Sequence, residues 1–398
     1  MVQFKTRNFG HLRSVISDAE LERRWAAVRK EMAKEGVDCI LLYAMDAWAG
    51  GGIKWFTDFP CENSFTYACL FPKEGEMAMF GHGPVGGTAI PDFAVRGKGI
   101  GINKSYPLAP SLGYTDNFIP EETLAYLKKR GYKKIGVYRP TLMPYHLVNY
   151  IRENLPGAEI VFANDIVDNV KAIKSEEELA AHMEAVRIHD AIHDALPMWM
   201  RPGRIERDIC LDIRKAALDL GCEEMNIMIG ASFKKSYHVP IFLQNEVLET
   251  GMNLEIVLEF SASGGYYAEL QRMWCIDCEP HAALVHGMKS SYELQALLAK
   301  NAKPGVPASY MRTLLLEFQE SRGFEKENRI QGHGQGVDLV ERPSLVFGET
   351  MKFAENMFIS LHPACGDRDV YCNACDNFLV TKDGAVRLSK TEQKIFIA

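Results

Sequence analysis

The chain has 398 residues, of which 47% are hydrophobic and 24% charged, as in a soluble globular protein with a large core. Its formal net charge is −7, and no basic cluster exceeds Lys128-Lys129-Arg130, so the composition does not indicate nucleic-acid binding. No apolar run reaches membrane-spanning length, and residues 1–15 lack the apolar core of a signal peptide. We therefore expect a cytoplasmic protein with no membrane contact, whose ten cysteines are reduced.

The first part of the chain alternates predicted helices and strands. Ser17 followed by Glu20 is a capping box, which predicts a helix that ends at Gly36. The glycine-rich stretch 48–52 carries neither phosphate-loop signature and is interpreted as a flexible loop. Strands are predicted at 38–44, 65–71, 76–81, 134–138 and 158–163, and helices at 121–130 and 143–154. Residues 1–168 are therefore predicted to form an α/β domain with a partly parallel sheet.

A second domain, of the α+β class, is predicted for residues 169–398. Ser175 and Glu178 form another capping box at the start of a long helix that ends at Pro197. Three histidines share what is interpreted as a polar, solvated face of this helix: His182, His189 and His193. Beyond that helix, strands separated by turns alternate with predicted helices at 205–220, 289–300 and 308–321.

A β-hairpin is predicted at 254–276, where a strand, the turn Ser-Ala-Ser-Gly-Gly and an aromatic-rich strand follow one another. It carries Glu259 and Glu269, with Arg272 close behind. An unpaired carboxylate is costly to bury, so the hairpin is either an edge with one wet face or the wall of a functional site. Later segments rich in His, Cys and Asp favour the second interpretation.

Seven segments in order carry a resemblance to a known family: KSEEELAAHMEAVRI, RPGRIERDI, YHVP, GYYAELQRMW, GHGQGVDLVERP, ISLHP and DNFLVTKDGAVRLS. They resemble the creatinase/aminopeptidase P/methionine aminopeptidase family, which has the pita-bread fold. The resemblance is strong over about 170–398 and extends weakly to 1–165 as a creatinase-type N-terminal domain. Each motif alone is weak, whereas their joint order is specific.

The resemblance implies a site with altered ligands. Metallopeptidases of this family bind two metal ions with two Asp, one His and two Glu. The first Asp position falls at Leu258, or at Glu259 if the turn is shifted by one residue. The remaining four positions fall at Glu269, His333, His362 and Cys375. The family's other histidine is retained as His238, whereas the peptidases' second histidine is replaced by Val340. A standard two-metal peptidase is not expected.

Two hypotheses for the chemistry follow. In the first, the site is metal-free and creatinase-like, and His238 transfers the proton while Glu269 and His333 complete the catalytic group. In the second, one divalent ion (zinc, iron or manganese) is held by a candidate set of four ligands: Glu269, His333, His362 and Cys375. Either hypothesis predicts a hydrolase that cleaves a C–N bond, with an Xaa-Pro peptidase as the alternative activity.

The predicted substrate is a small cationic or amine-bearing molecule. The segment 55–66 lacks the arginine with which creatinase-type enzymes hold a carboxylate, and it carries Asp58 and Glu62 instead. The predicted substrate-binding residues are Glu62, Tyr267, Arg272 and His362. The resemblance also implies a homodimer. A lyase acting on a betaine or sulfonium compound and a non-catalytic binding protein stay open as alternatives.

Overall fold

The computed structural model describes residues 16–48, 50–61, 63–86, 97–235, 243–262 and 264–398. The chain divides into two units between Lys171 and Ala172. Among the described residues, no helix is both long and apolar enough to cross a bilayer.

The described residues of the first unit form a six-stranded mixed sheet and five α-helices. Its strands are β1 (Cys39–Ala44), β2 (Tyr67–Pro72), β3 (Met77–His82), β4 (Ile100–Tyr106), β5 (Lys134–Val137) and β6 (Glu159–Phe162). Its helices are α1 (Asp18–Glu35), α2 (Gly51–Thr57), α3 (Phe118–Arg130), α4 (Tyr145–Asn154) and α5 (Asn164–Lys171). The strand order is β4-β3-β2-β1-β5-β6. The pairs β1–β5, β5–β6 and β3–β4 are parallel, as the alternation of helices and strands predicts.

The ends of α1 agree with the sequence prediction. The Ser17 side chain accepts a hydrogen bond from the Glu20 backbone, and Gly36 closes the helix with a φ of 67°. Part of the glycine-rich stretch, in contrast, is helical, because α2 begins at Gly51, whereas Trp48 and Gly50 precede the helix. Its glycines serve close packing: a Cβ on Gly50 would lie 2.5 Å from the carbonyl oxygen of Asp46.

In the part of the second unit that the structure describes, there are two main sheets and four α-helices. The helices are α6 (Glu176–Ala195), α7 (Glu206–Asp219), α8 (Ala282–Asn301) and α9 (Tyr310–Ser321). One sheet has the order β17-β9-β8-β7, from β7 (Met225–Ser232), β8 (Asn253–Ser261), β9 (Tyr267–Cys275) and β17 (Phe396–Ile397). The other has the order β11-β10-β12-β15-β16, from β10 (Gly332–Gly334), β11 (Glu341–Ser344), β12 (Phe358–Leu361), β15 (Asp376–Thr381) and β16 (Gly384–Arg387). A two-stranded ribbon pairs β13 (Ala364–Gly366) with β14 (Tyr371–Asn373).

The two main sheets are joined along β9 and β15. The Asn377 side chain accepts a hydrogen bond from the Glu269 backbone N–H at 2.9 Å and donates one to the Glu269 carbonyl at 2.7 Å. The Gln271 N–H also donates to the Cys375 carbonyl at 3.2 Å. These contacts fix the backbone of the predicted hairpin against the segment that follows β14.

The three histidines of α6 are buried, so the prediction of a solvated helix face was wrong. His182 stacks on Phe358 at 3.9 Å between ring centroids, and His189 stacks on Phe260 at 4.6 Å. Nδ1 of His189 contacts the Ala185 carbonyl at 2.7 Å, and burial lowers the pKa of His189 to about 4. The prediction treated histidine as a polar residue. A neutral histidine can, however, be buried among apolar side chains, because its uncharged ring packs against them.

Candidate active site and metal centre

The hairpin decides which carboxylates face the cleft. In the antiparallel register Glu259 lies directly opposite Glu269, and Leu258 lies opposite Leu270. Side chains alternate between the two faces of a strand, so Leu258 points the other way, into a hydrophobic core where it is 1% exposed. Of the two positions considered for the first family aspartate, Glu259 is therefore the one that shares the cleft with Glu269.

Three candidate ligands converge in this cleft: Glu269 from β9, His333 from β10 and His362 just after β12. One ligand atom from each lies within 4.8 Å of the others. His333 Nε2 is 3.3 Å from Glu269 Oε1, and the two imidazole ring centroids are 5.0 Å apart. His333 Nδ1 lies 2.9 Å from the Gly334 carbonyl, which as an acceptor favours a proton on Nδ1 and leaves the Nε2 lone pair for the cleft.

Cys375 lies behind this group of three. Its Sγ is 3.4 Å from Glu269 Oε2, and the Ser360 hydroxyl donates to the same oxygen at 2.9 Å. Burial and the adjacent Glu269 carboxylate raise the pKa of the Cys375 thiol well above its usual range, which keeps the thiol protonated. In this geometry Cys375 and Ser360 contact Oε2 of Glu269, while Oε1 faces Nε2 of His333.

The charges of the three converging residues are strongly coupled. Burial opposes ionisation of Glu269, but His333, His362 and the Ser360 hydroxyl outweigh it and lower the pKa of the carboxyl to about 2. Burial lowers the pKa of His362 to about 3. For His333 burial acts in the same direction, but Glu269 outweighs it and raises the pKa. The side chains alone therefore present an ionised carboxylate, a neutral imidazole and an imidazole that protonates readily.

This donor set fits a single divalent metal ion. Two imidazoles and one carboxylate occur together in catalytic zinc sites and in mononuclear iron sites. The carbonyl of Gly334 and the hydroxyl of Ser360 contact the outer atoms of two of the ligands, as supporting groups do in metal proteins. Glu269, His333 and His362 are the residues that would hold the ion.

The cleft around these residues has a volume of about 200 Å³. The described residues that line it are Met228, Val257, Glu259, Glu269, Arg329, Ile330, His333, Leu339, Val340, His362, Asn373 and Cys375. This volume suits a small molecule, with apolar walls and a few polar groups.

Arg272 is a structural residue and not a binding group of this cleft. A guanidinium has five N–H donors, and five acceptors meet them: the carbonyls of Gln271, Cys375, Thr391 and Glu392 and the carboxylate of Asp376. The Arg272–Asp376 pair is 2.7 Å long and fully buried. No donor remains for a substrate, which contradicts the substrate-binding role predicted for this side chain.

Three other predicted site residues lie apart from the cleft or beyond the described residues. Tyr267 is 1% exposed and does not line the cleft; its carbonyl contacts His182 Nδ1 at 2.8 Å. Burial raises the pKa of its phenol. Glu62 and His238 lie outside the residues that the structure describes, so their predicted roles stay predictions.

Two cleft residues, Arg329 and Asn373, were missed in the sequence. Arg329 lies four residues before His333, and Asn373 lies two residues before Cys375. Strand alternation does not relate Asn373 to Cys375, because β14 ends at Asn373, but its closeness in sequence to the predicted ligand Cys375 could have drawn attention to it. Nothing comparable points to Arg329, because it precedes β10 and lies outside a regular strand.

Comparison with known proteins agrees with this architecture. Metallopeptidase family M24 matches residues 180–391, more than half of the 398 residues, and the chain belongs to this family. This confirms the predicted relationship to the creatinase/aminopeptidase P group, and the predicted fold class is confirmed as well.

Individual relatives are distant. The probable dipeptidase PepE of Mycobacterium tuberculosis is 24% identical over 243 residues, which cover 61% of this chain and 64% of PepE, slightly less than two thirds of that protein. The Xaa-Pro dipeptidase of Pyrococcus horikoshii is 21% identical over 279 residues, covering 68% of this chain and 77% of that protein. The solved Xaa-Pro dipeptidase from Bacillus anthracis has a TM-score of 0.74 at 18% identity and covers 95% of this chain and 100% of its own.

Proposed function

We propose that this protein is a metal-dependent hydrolase that cleaves a C–N bond in a small, amine-bearing substrate. The observation that carries the proposal is the convergence of Glu269, His333 and His362 in one small cleft. Membership of metallopeptidase family M24 supports hydrolysis of a C–N bond, as do relatives described as dipeptidases and Xaa-Pro dipeptidases. Two imidazoles and one carboxylate favour a single ion of zinc, iron or manganese.

When bound, such an ion supplies Lewis acidity and lowers the pKa of a water molecule. The residues of the chain then have separate tasks. Ser360 and Cys375 hold Glu269 Oε2, so Oε1 keeps its direction toward His333. Glu259 faces the cleft with its Oε2 bound by the Asn226 amide at 2.6 Å, and its carboxylate is suited to a substrate amine. In the hydrolysis, the water oxygen bonds to the acyl carbon, the C–N bond breaks and the nitrogen leaves with a proton from water.

Metal analysis and substitution of the histidines test this function. Purified protein should carry close to one equivalent of zinc, iron or manganese, and chelation should abolish amine release from a panel of dipeptides and acylated amines. His333→Ala and His362→Ala should each lose the metal, because each removes one of the three converging ligands. His286→Ala is the matched control, since that histidine lies exposed on α8.

If activity survives chelation and the protein carries well under one metal per chain, the one-metal hydrolase is wrong. The metal-free, creatinase-like chemistry would then be favoured, with His238 as the proton-transfer group. His238→Ala should abolish turnover in that case, since a general acid–base group contributes ~10²–10⁴ in rate. The homodimer and the cytoplasmic location stay predictions from the sequence.

A further inference from the structure

Arg329 presents unused donors to the cleft. Its side chain is 37% exposed, its Nε pairs with the Glu327 carboxylate and one Nη2 proton reaches the His362 carbonyl at 3.4 Å. Its Nη1 contacts no acceptor among the described residues. The guanidinium lies 5.7 Å from the ring centroid of Tyr371, whose hydroxyl also donates to Glu327 at 3.4 Å. The contacts of Nε and Nη2 therefore fix the orientation of the guanidinium, and its Nη1 donors are available to a ligand in the cleft.

Asn373 presents the complementary group. It is 3% exposed and lines the same cleft, and among the residues that the structure describes its buried Oδ1 has no hydrogen-bond partner. Buried carbonyl oxygens are nearly always hydrogen-bonded, so an orphaned one in a cleft indicates a ligand that donates to it. Asn373 pairs with Ala364 across the β13–β14 ribbon, two residues beyond His362. Both residues are therefore close to His362 along the chain or in contact with it. Arg329 donates to the His362 carbonyl, and Asn373 lies on β14, which pairs with the segment that follows His362.

We propose that Arg329 and Asn373 form a subsite for a leaving group that combines an N–H with a nearby carboxylate. This inference rests on the proposed hydrolase function and names the substrate class: N-acyl amino acids and dipeptides whose scissile nitrogen carries a hydrogen. Arg329 binds the carboxylate with the planar donors that suit it. Asn373 Oδ1 accepts the scissile N–H.

The subsite selects against proline at this position. An acylated proline nitrogen carries no hydrogen, so it would leave Asn373 Oδ1 buried and unpaired. A site built to bind an N–H rejects an analogue without it far more strongly than an apolar pocket rejects a missing methylene. A small zwitterionic dipeptide would find a carboxylate for its amine in Glu259 and a guanidinium for its carboxylate in Arg329, since both side chains line the cleft.

A binding experiment on the intact, purified protein tests the subsite without requiring turnover. Isothermal titration calorimetry compares N-acetylglycine with N-acetylglycinamide, which lacks the carboxylate, and with N-acetylsarcosine, which lacks the N–H. We expect N-acetylglycine to bind at least ~10-fold more tightly than either analogue. Equal affinity for the amide would overturn the role of Arg329, and equal affinity for N-acetylsarcosine would overturn the role of Asn373. Failure of all three to bind at millimolar concentration would reject the subsite.

Two variants assign the discrimination to the named residues. Arg329→Gln should lower the affinity for N-acetylglycine to that for the amide, whereas Arg322→Gln should leave it unchanged. Arg322 is a matched control because it is exposed and pairs with Glu293 on the surface. Asn373→Ala should remove the difference between N-acetylglycine and N-acetylsarcosine. If binding follows this pattern but no C–N bond is cleaved, the subsite stands and the proposed function fails. If a C–N bond is cleaved but binding does not follow this pattern, the subsite is rejected and the proposed function stands.

Discussion

Replacing Arg272 with methionine separates a structural role from a substrate-binding one. Arg272→Met keeps the length of the side chain and removes all five N–H donors. Four backbone carbonyls then lose a hydrogen bond, and the fully buried Asp376 loses a partner at 2.7 Å. Removing one member of a buried ion pair typically costs about 3–5 kcal/mol, because the remaining charge is left in the interior.

The size of the stability loss depends on the contacts that the Asp376 carboxylate retains in the variant. Arg387 still contacts it at 3.3 Å and Gln393 donates to it at 3.0 Å, so we expect the lower end of that range, about 3 kcal/mol. With a urea dependence of about 3 kcal/mol per molar, the unfolding midpoint should fall by about 1 M. Circular dichroism across a urea series measures this shift directly.

Arg387→Met is the matched control, because Arg387 contacts the same carboxylate from a side chain that is 30% exposed. Its removal leaves the buried pair intact, so we expect a loss of about 1 kcal/mol or less. A normal urea midpoint for Arg272→Met, together with a raised KM, would refute the structural interpretation and restore Arg272 as a binding residue.

Three further predictions concern the site and its supports. Ser360→Ala should weaken metal binding by about 10–100-fold in chelator competition, because it removes the hydroxyl that orients Glu269; unchanged affinity would contradict this role. His189 has a folded pKa of about 4, below its usual value, so the unfolded state binds more protons and stability falls as pH drops from about 6.5 to 4. His189→Gln should lessen this fall in urea midpoints between pH 7 and pH 4.5, and an identical pH profile would argue against it. Gly287→Ala should destabilise the protein by about 1–3 kcal/mol in thermal unfolding, since the new Cβ would lie 2.5 Å from Cys372 Sγ; an equal or higher midpoint would show that Cys372 moves aside.

Local signals in the sequence predicted local structure well. The Ser17 cap and the Ser175–Glu178 capping box determine where α1 and α6 begin, because a side chain that bonds the third backbone N–H acts within one turn. The edge strand β4 was missed, since its alternating, largely exposed residues carry no apolar run. The same limit explains the α6 histidines: their burial is set by β8 and β9, which lie far along the chain.

The candidate ligands were predicted by matching the family's ligand positions to this sequence. Glu269, His333 and His362 meet as expected from three separate segments. The choice between Leu258 and Glu259 could not be made from the sequence, because shifting the turn by one residue exchanges the two faces of the strand. That choice required the strand pairing itself, as did the finding that Cys375 contacts Glu269 instead of completing the ligand group.

The charges facing the cleft explain why one ion suits it better than two. Glu259 and Glu269 supply two carboxylates, whereas His362 is held neutral and the Cys375 thiol is kept protonated by burial. A metal-bound His333 must also be neutral. The two carboxylates then balance one divalent cation, and Arg329, whose charge is paired with Glu327, adds no negative charge for a second ion in this largely buried site. We therefore expect the replacement of two family carboxylates by His362 and Cys375 to lower the number of bound ions from two to one.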